Sequence, residues 1–126
     1  MKKTFTVLLL ILLAIFSFAA CNSPVENVSI LVIGADGETI AEVEPWNYNT
    51  NNVAKILELN NDILEIPQAQ FDSGFITTIA GVTAVWGDKG NQWWWRFDVN
   101  GIQSDFGIRD TRVKSNAVIS FTLVEG

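Results

Sequence analysis

The chain has 126 residues, with eight basic and fourteen acidic side chains, no histidine and a single cysteine. This length suits one small domain with its own core. The acidic balance argues against a nucleic-acid-binding protein, because binding to phosphates needs a basic patch. A single cysteine excludes an internal disulfide, so the stability of the fold must come from an ordinary hydrophobic core.

The first twenty residues have the pattern of an export signal. Lys2 and Lys3 form a positive region, residues 4–18 form an apolar stretch, and two alanines precede Cys21. This small-small-Cys ending is that of a bacterial lipoprotein signal, in which the cysteine takes a diacylglyceryl group and becomes the new N-terminus. An ordinary secretory signal is the alternative, and a membrane-spanning helix would need ~20 apolar residues. We expect a cleaved signal over residues 1–20 and a lipid-anchored protein on the extracytoplasmic face of the membrane.

Removal of this leader changes the charge of what remains. The leader holds two lysines and no acidic residue, so the net charge moves from -6 to -8. Such a protein is not attracted to anionic headgroups, and we expect its membrane contact to come through acyl groups alone. Residues 21–27 are predicted to be the lipidated cysteine and a short tether, and residues 28–126 the folded domain.

From residue 28 onward the pattern is mostly that of β-strands. Residues 28–33 are apolar on nearly both faces, which is typical of a central strand. A turn at residues 34–37 and an alternating segment at residues 38–44 then predict a β-hairpin.

One helix is predicted, beginning near residues 49–51 with Thr50 or Asn51 as its N-cap. Three apolar residues then share one face and two asparagines supply a stop: Val53, Ile56, Leu57, Asn60 and Asn61. So short a helix needs a sheet to pack against.

After the helix the pattern returns to strands. Apolar segments occupy residues 63–66, 75–82, 93–99 and 117–124, and Asn100-Gly101 is the strongest hairpin signal in the sequence. The sequence therefore predicts a small α+β domain, with one helix packed across a mixed sheet as in β-grasp folds.

Three consecutive tryptophans open the strand over residues 93–99. Alternation sends its residues to two faces, an apolar set that we assign to the core and a second set that contains the charges. The apolar set consists of Trp93, Trp95, Phe97 and Val99. The second set consists of Trp94, Arg96 and Asp98. Aromatic surface with a few polar groups is a usual lining for a ligand groove, so we predict ligand binding by Trp86, Trp94, Arg96 and Phe106. The alternative is that these aromatic side chains only cover the sheet.

The residue inventory argues against catalysis. Without histidine, and with Cys21 consumed by lipid, the protein lacks the usual general base, the thiol nucleophile and the commonest zinc ligand. No phosphate-binding loop or serine-nucleophile elbow appears. A calcium site at Asp36, Asp88 or Asp105 is an alternative, although the regular spacing of a calcium-binding loop is absent. We expect a protein that is not an enzyme and holds no metal or cofactor.

Several segments together resemble the transcobalamin-like C-terminal domain family. Residues 74–82 are similar to its strand G-x-x-x-x-I-x-G, and residues 95–101 to its strand and turn W-x-Y-x-V-N-G. Residues 106–124 are similar to its last segment, and residues 52–57 fit its helix loosely. Two departures are Phe97, where a tyrosine is common, and Ser115-Asn116, where the family has glycine and aspartate.

This resemblance implies a β-grasp-related domain that binds a soluble ligand, of the kind often carried by bacterial surface lipoproteins. In transcobalamins the comparable domain covers one face of cobalamin while a separate helical domain covers the other. The resemblance thus implies cobalamin or another corrinoid as a ligand. A protein-interaction or adhesion module with no small-molecule ligand is the alternative, because fold similarity does not fix function.

Overall fold

The computed structural model describes residues 22–87 and 91–126. The predicted signal and Cys21 lie outside the described residues. Five strands form one mixed sheet, and two very short strands form a separate hairpin. The large sheet contains β1 (Val25–Ile33), β2 (Thr39–Tyr48), β5 (Trp93–Val99), β6 (Ile102–Gln103) and β7 (Val118–Glu125); the hairpin contains β3 (Thr78–Ile79) and β4 (Val82–Thr83).

The sheet has the order β2-β1-β7-β5-β6. β1 runs parallel to β7, while β1 with β2, β5 with β7 and β5 with β6 are antiparallel. The first hairpin therefore lies at one edge, and the polypeptide crosses over before its last strand enters the middle. This confirms the predicted α+β fold with a mixed, β-grasp-like sheet.

Three short α-helices lie between β2 and β3, and one 3₁₀ turn lies between β6 and β7, in the part of the protein that the structure describes. They are α1 (Val53–Leu59), α2 (Asn61–Leu64), α3 (Gln68–Ser73) and the 3₁₀ turn Ile108–Asp110. The prediction of a single helix was therefore incomplete. Asn61 explains the second helix, because its side chain both accepts from the N–H of Ile66 and donates to the C=O of Ile66. These two bonds hold the backbone in a tight turn where a strand was predicted.

The N-cap of α1 is Asn52, one or two residues later than predicted. Its side-chain oxygen accepts from the N–H of Lys55 at 3.2 Å. Thr50 and Asn51 are buried instead, because Thr50 bonds Asn22 and the backbone of Asn51 bonds Val113. Tertiary contacts, rather than the local capping signal, thus decide where the helix begins.

One face of the sheet and the apolar face of α1 build the core. From the sheet it takes alternate residues of β1, β5 and β7, and from α1 it takes Val53, Ala54, Ile56 and Leu57. Trp95 is buried, and Phe97 stacks on Phe121 with ring centroids 5.2 Å apart. The predicted core face of β5 is thereby confirmed. Among the described residues every buried core residue lies between Val25 and Leu123, so a protein beginning at Asn22 contains this core in full.

Two predicted segments differ from the structure. β1 begins at Val25, inside the predicted tether, because Val25 is buried and pairs with Tyr48. The long strand predicted over residues 75–82 was wrong. Only β3 and β4 form there, since Ala80 and Gly81 turn the backbone with φ of 52° and 78°.

Candidate functional site

An open groove lies against β5, between the β3–β4 hairpin and the loop that follows β6. It consists of two cavities of about 300 and 170 Å³ that share Phe75, Ile76, Trp94 and Trp95. We call it the aromatic groove. Its other lining residues are Gly74, Ala84, Trp86, Phe97, Gln103, Ser104, Phe106, Gly107, Ile108 and Phe121. None of these side chains is charged, so the groove favours an apolar molecule.

Two aromatic rings form the outer rim of the groove. Phe75 and Trp86 stack with their centroids 6.4 Å apart and their planes 23° from parallel. Their side chains are 60% and 62% exposed, so this pair presents a large apolar surface to solvent. Exposed aromatic pairs beside a concave surface are typical of ligand-binding sites.

Trp94 and Trp95 both line the groove although alternation sends them to opposite faces of the sheet. The groove lies at the edge of β5, so side chains from both faces of the sheet can contribute to its wall. Trp95 is 6% exposed, and its indole N–H donates to the C=O of Val82. Trp94 packs so closely against Gly126 that a Cβ at that glycine would lie 2.6 Å from the indole nitrogen.

Two loops supply the remaining wall, and each is fixed by side chains. Gln70 accepts from the N–H groups of Thr77 and Thr78, which holds the loop that carries Phe75. Ser104 both donates to the C=O of Phe106 and accepts from its N–H. These bonds position Phe75 and Phe106 before any ligand arrives, which lowers the cost of ordering them on binding.

The two loops meet at a pair of glycines. A Cβ on Gly107 would lie 3.2 Å from the C=O of Gly74, which is closer than ordinary van der Waals contact. A side chain at Gly107 would therefore require the two loops to separate by a few tenths of an ångström. The width of the groove at this end therefore depends on Gly107.

Three of the four predicted ligand-binding residues, Trp86, Trp94 and Phe106, meet in the aromatic groove. Arg96 does not line it. Its guanidinium instead forms an ion pair with Asp98 at 3.0 Å and donates to both carboxylate oxygens. Asp98 is 3% exposed, so the arginine neutralises a buried charge.

Phe75 and Ile76 are groove residues that sequence reasoning placed in a strand and not in a site. The signal that could have found Phe75 is its position after Ser73-Gly74, since Gly74 ends α3 in a left-handed conformation. A residue directly after such a cap has left the helix, which places Phe75 in the loop that follows α3 and not in a strand.

A separate cavity of about 430 Å³ lies between α1, α3 and Arg109. Its lining is polar and of mixed charge, with Asn52, Lys55, Glu58 and Asp72 beside Ala54 and Phe71. Arg109 itself donates to the backbone C=O of Asp72. The mixed charges offer no net attraction to a ligand of either sign, so the aromatic groove is the better candidate site.

The described residues hold neither a metal cluster nor a membrane span. Among residues 22–87 and 91–126, no group of three or more histidine, cysteine, aspartate or glutamate side chains is placed to hold a metal ion. Within the same ranges no helix has the length and apolar character needed to cross a membrane.

Residues 46–125 match the family described as Domain of unknown function (DUF4430). The chain belongs to this family. A crystal structure at 1.30 Å resolution from Ruminococcus gnavus ATCC 29149, described as a "putative metal binding protein", has the same fold with a TM-score of 0.55. It is 24% identical, and the match spans 80% of this sequence and 98% of that one. No curated protein matches this sequence.

The aromatic groove belongs entirely to the DUF4430 part of the protein, because its lining residues fall between residues 74 and 121. The folded unit nevertheless begins earlier. β1 lies between β2 and β7 in the sheet, so residues before the family match complete the core under the groove.

Proposed function

We propose that this DUF4430 protein is a lipid-anchored extracytoplasmic protein that binds a soluble ligand in the aromatic groove. The observation that carries the proposal is the exposed, stacked pair Phe75 and Trp86 at the rim of an uncharged cavity. Stacked aromatic rings offer a flat apolar surface, and the ligand they suit best is itself flat and largely apolar.

A corrinoid is the ligand class that we propose. A corrin ring is a broad, nearly planar macrocycle, and an open groove would hold one edge of it while leaving the rest accessible. The resemblance of residues 95–101 to the transcobalamin-like strand and turn supports the same class. Arg96 is engaged by Asp98, so in this mode of binding it does not contact an anionic group of the ligand.

A thermal-shift titration of the soluble protein beginning at Asn22 tests this function. A ligand that binds only the folded state stabilises it by RT ln(1 + [L]/Kd), so micromolar binders raise the Tm measurably. We expect cyanocobalamin or cobinamide to raise the Tm in a concentration-dependent way. Unchanged melting with both compounds at millimolar concentration contradicts corrinoid binding.

The alternative function is a protein-interaction module. Trp46, which lies on the edge strand β2 away from the groove and is 69% exposed, favours this second candidate. Large exposed tryptophans are enriched at protein interfaces. The interaction module would be supported if Trp46→Ala abolished binding to a protein partner and no corrinoid changed the Tm of the wild-type protein.

A further inference from the structure

The backbone N–H and C=O of Trp95 face the side of β5 that is away from β7. On β5, the N–H and C=O of Trp93 both pair with Val85, and the C=O of Phe97 accepts from the N–H of Ser104. These partners lie on the side away from β7. Because backbone groups of alternate residues in an antiparallel strand point to the same side, the N–H and C=O of Trp95 point there too.

The intervening residues confirm this alternation. The N–H of Asn100 donates to Val118 and the C=O of Gln92 accepts from Gly126, so even-numbered residues around β5 face β7. Trp94 and Arg96 therefore bond within the sheet, opposite Val124 and Thr122.

No strand pairs with the outer side of Trp95 in the part of the protein that the structure describes. β6 pairs only with Asp98 and Val99, and the isolated bridge to Val85 stops at Trp93. The aromatic groove is lined by Ala84 and Ser104, which lie toward the two ends of this gap, and by Trp95 itself. The N–H and C=O of Trp95, and by the same alternation the N–H of Phe97, thus lie beside the apolar walls of the groove.

The length of the gap decides what can fill it. Trp93 and Phe97 are four residues apart, or about 13 Å along a strand, and both ends already carry partners. An added peptide strand is typically about 5–6 residues, or ~17–20 Å, and would collide with the protein at Val85 or at Ser104. A single amide group needs only the one residue in the middle.

We propose that the ligand carries a carboxamide that pairs with the backbone of Trp95. The amide carbonyl accepts from the N–H of Trp95, and the amide N–H donates to its C=O. The apolar body of the ligand then contacts Phe75, Trp86 and Trp94. This inference rests on the proposed function and adds the polar group by which an otherwise apolar groove selects and orients its ligand.

Amide hydrogen exchange measured by NMR on the soluble protein beginning at Asn22 tests the pairing, with cobinamide as the probe. Cobinamide carries carboxamides around its corrin ring. We expect bound cobinamide to slow exchange of the Trp95 N–H by about tenfold or more. The N–H groups of Trp94 and Arg96, already bonded within the sheet, serve as internal controls and should change by less than about twofold.

A second arm uses heptamethyl cobyrinate, in which methyl esters replace the carboxamides on the same ring. Loss of the N–H donor should weaken binding about tenfold relative to cobinamide. Equal affinity for the ester, or bound cobinamide without protection of Trp95, overturns the inference and leaves corrinoid binding intact.

Two further outcomes are informative. Failure of both compounds to bind overturns the proposed function and this inference together. Protection of Trp95 by a short alternating Val-Thr peptide, and not by cobinamide, also overturns the inference, in favour of an added strand.

Discussion

The indole N–H of Trp95 donates to the backbone C=O of Val82 at 3.1 Å, which ties the small hairpin of β3 and β4 to the central sheet. Trp95 is 6% exposed and also contributes to the groove. One residue thus joins the core, the hairpin and the candidate site. Its substitution should affect stability first, because most of its surface lies in the core.

Trp95→Ala should lower the free energy of unfolding by about 3–5 kcal/mol, as large buried aromatic truncations do. Trp95→Phe keeps an aromatic ring but removes the donor to Val82, and should cost about 1–3 kcal/mol. Urea unfolding followed by circular dichroism measures both. Trp46→Ala, at a side chain that is 69% exposed, is the matched control and should change stability by about 0.5 kcal/mol or less. A Trp95→Ala protein as stable as this control would contradict the assigned core face.

The turn between β5 and β6 depends on two residues with positive φ, Asn100 at 53° and Gly101 at 78°. The side chain of Asn100 also accepts from the N–H of Val118 at 2.8 Å. Asn100→Gly keeps the backbone conformation and loses this bond, whereas Asn100→Ala loses both. We expect Asn100→Ala to be the less stable of the two by roughly 1 kcal/mol. Thermal unfolding of the pair measures the difference, and equal Tm values would show that the backbone conformation costs nothing here.

Sequence patterns predicted those parts of the fold that local chemistry decides. β5 has the predicted bounds, and the Asn100-Gly101 turn forms because both residues tolerate positive φ. The helical region was predicted poorly because long-range bonds decide it. Asn52 caps α1 while also donating to the C=O of Arg109, 57 residues away, and no local pattern reveals such a contact.

The candidate site was likewise predicted only in part. The five tryptophans of this short sequence indicated an aromatic site, and Trp86 and Trp94 do line the groove. Arg96 was predicted to bind the ligand, but it lies outside the groove. Residues at i and i+2 on a strand share one face, and there Arg96 pairs with Asp98. Phe75 was missed because its partner Trp86 is brought to it only by the tertiary fold.

Arg96→Ala should therefore destabilise the protein instead of weakening ligand binding directly. It leaves the Asp98 carboxylate buried without its partner, which should cost about 1–3 kcal/mol because the arginine itself is partly exposed. The double variant Arg96→Ala with Asp98→Asn removes the unpaired charge and should recover part of that loss. Chemical unfolding of the three proteins measures these effects. A stable Arg96→Ala protein with much weaker corrinoid binding would return Arg96 to the binding site.

Cys21→Ser tests the proposed lipid anchor. The wild-type protein should enter the detergent phase when cells are extracted with a phase-separating detergent, since a diacylglyceryl cysteine supplies two acyl groups. The serine variant has no thiol to modify and should move to the aqueous or precursor fraction. Ser23→Ala, just beyond the predicted cleavage site, is the control and should partition like the wild type. Unchanged partitioning of Cys21→Ser would contradict the lipoprotein interpretation.

Trp94→Ala separates packing from ligand binding within the aromatic groove. Trp94 lines both cavities but is only partly buried, and its face of the sheet also carries Arg96. We expect cobinamide affinity to fall about tenfold, as loss of a stacking surface worth about 1.4 kcal/mol implies. Stability should fall less than in Trp95→Ala, because less of the side chain is buried. Isothermal titration and urea unfolding on the same preparation measure the two quantities.

Trp86→Ala is the companion variant at the exposed rim of the groove. It should weaken cobinamide binding with almost no loss of stability, because its side chain is 62% exposed and packs mainly against Phe75. The same titration and unfolding measurements apply. If Trp94→Ala lost stability but kept its affinity for cobinamide, Trp94 would be a packing residue. If Trp86→Ala also bound cobinamide like the wild type, Trp86 would be only a surface residue. The ligand would then have to bind outside the part of the groove that these two tryptophans line.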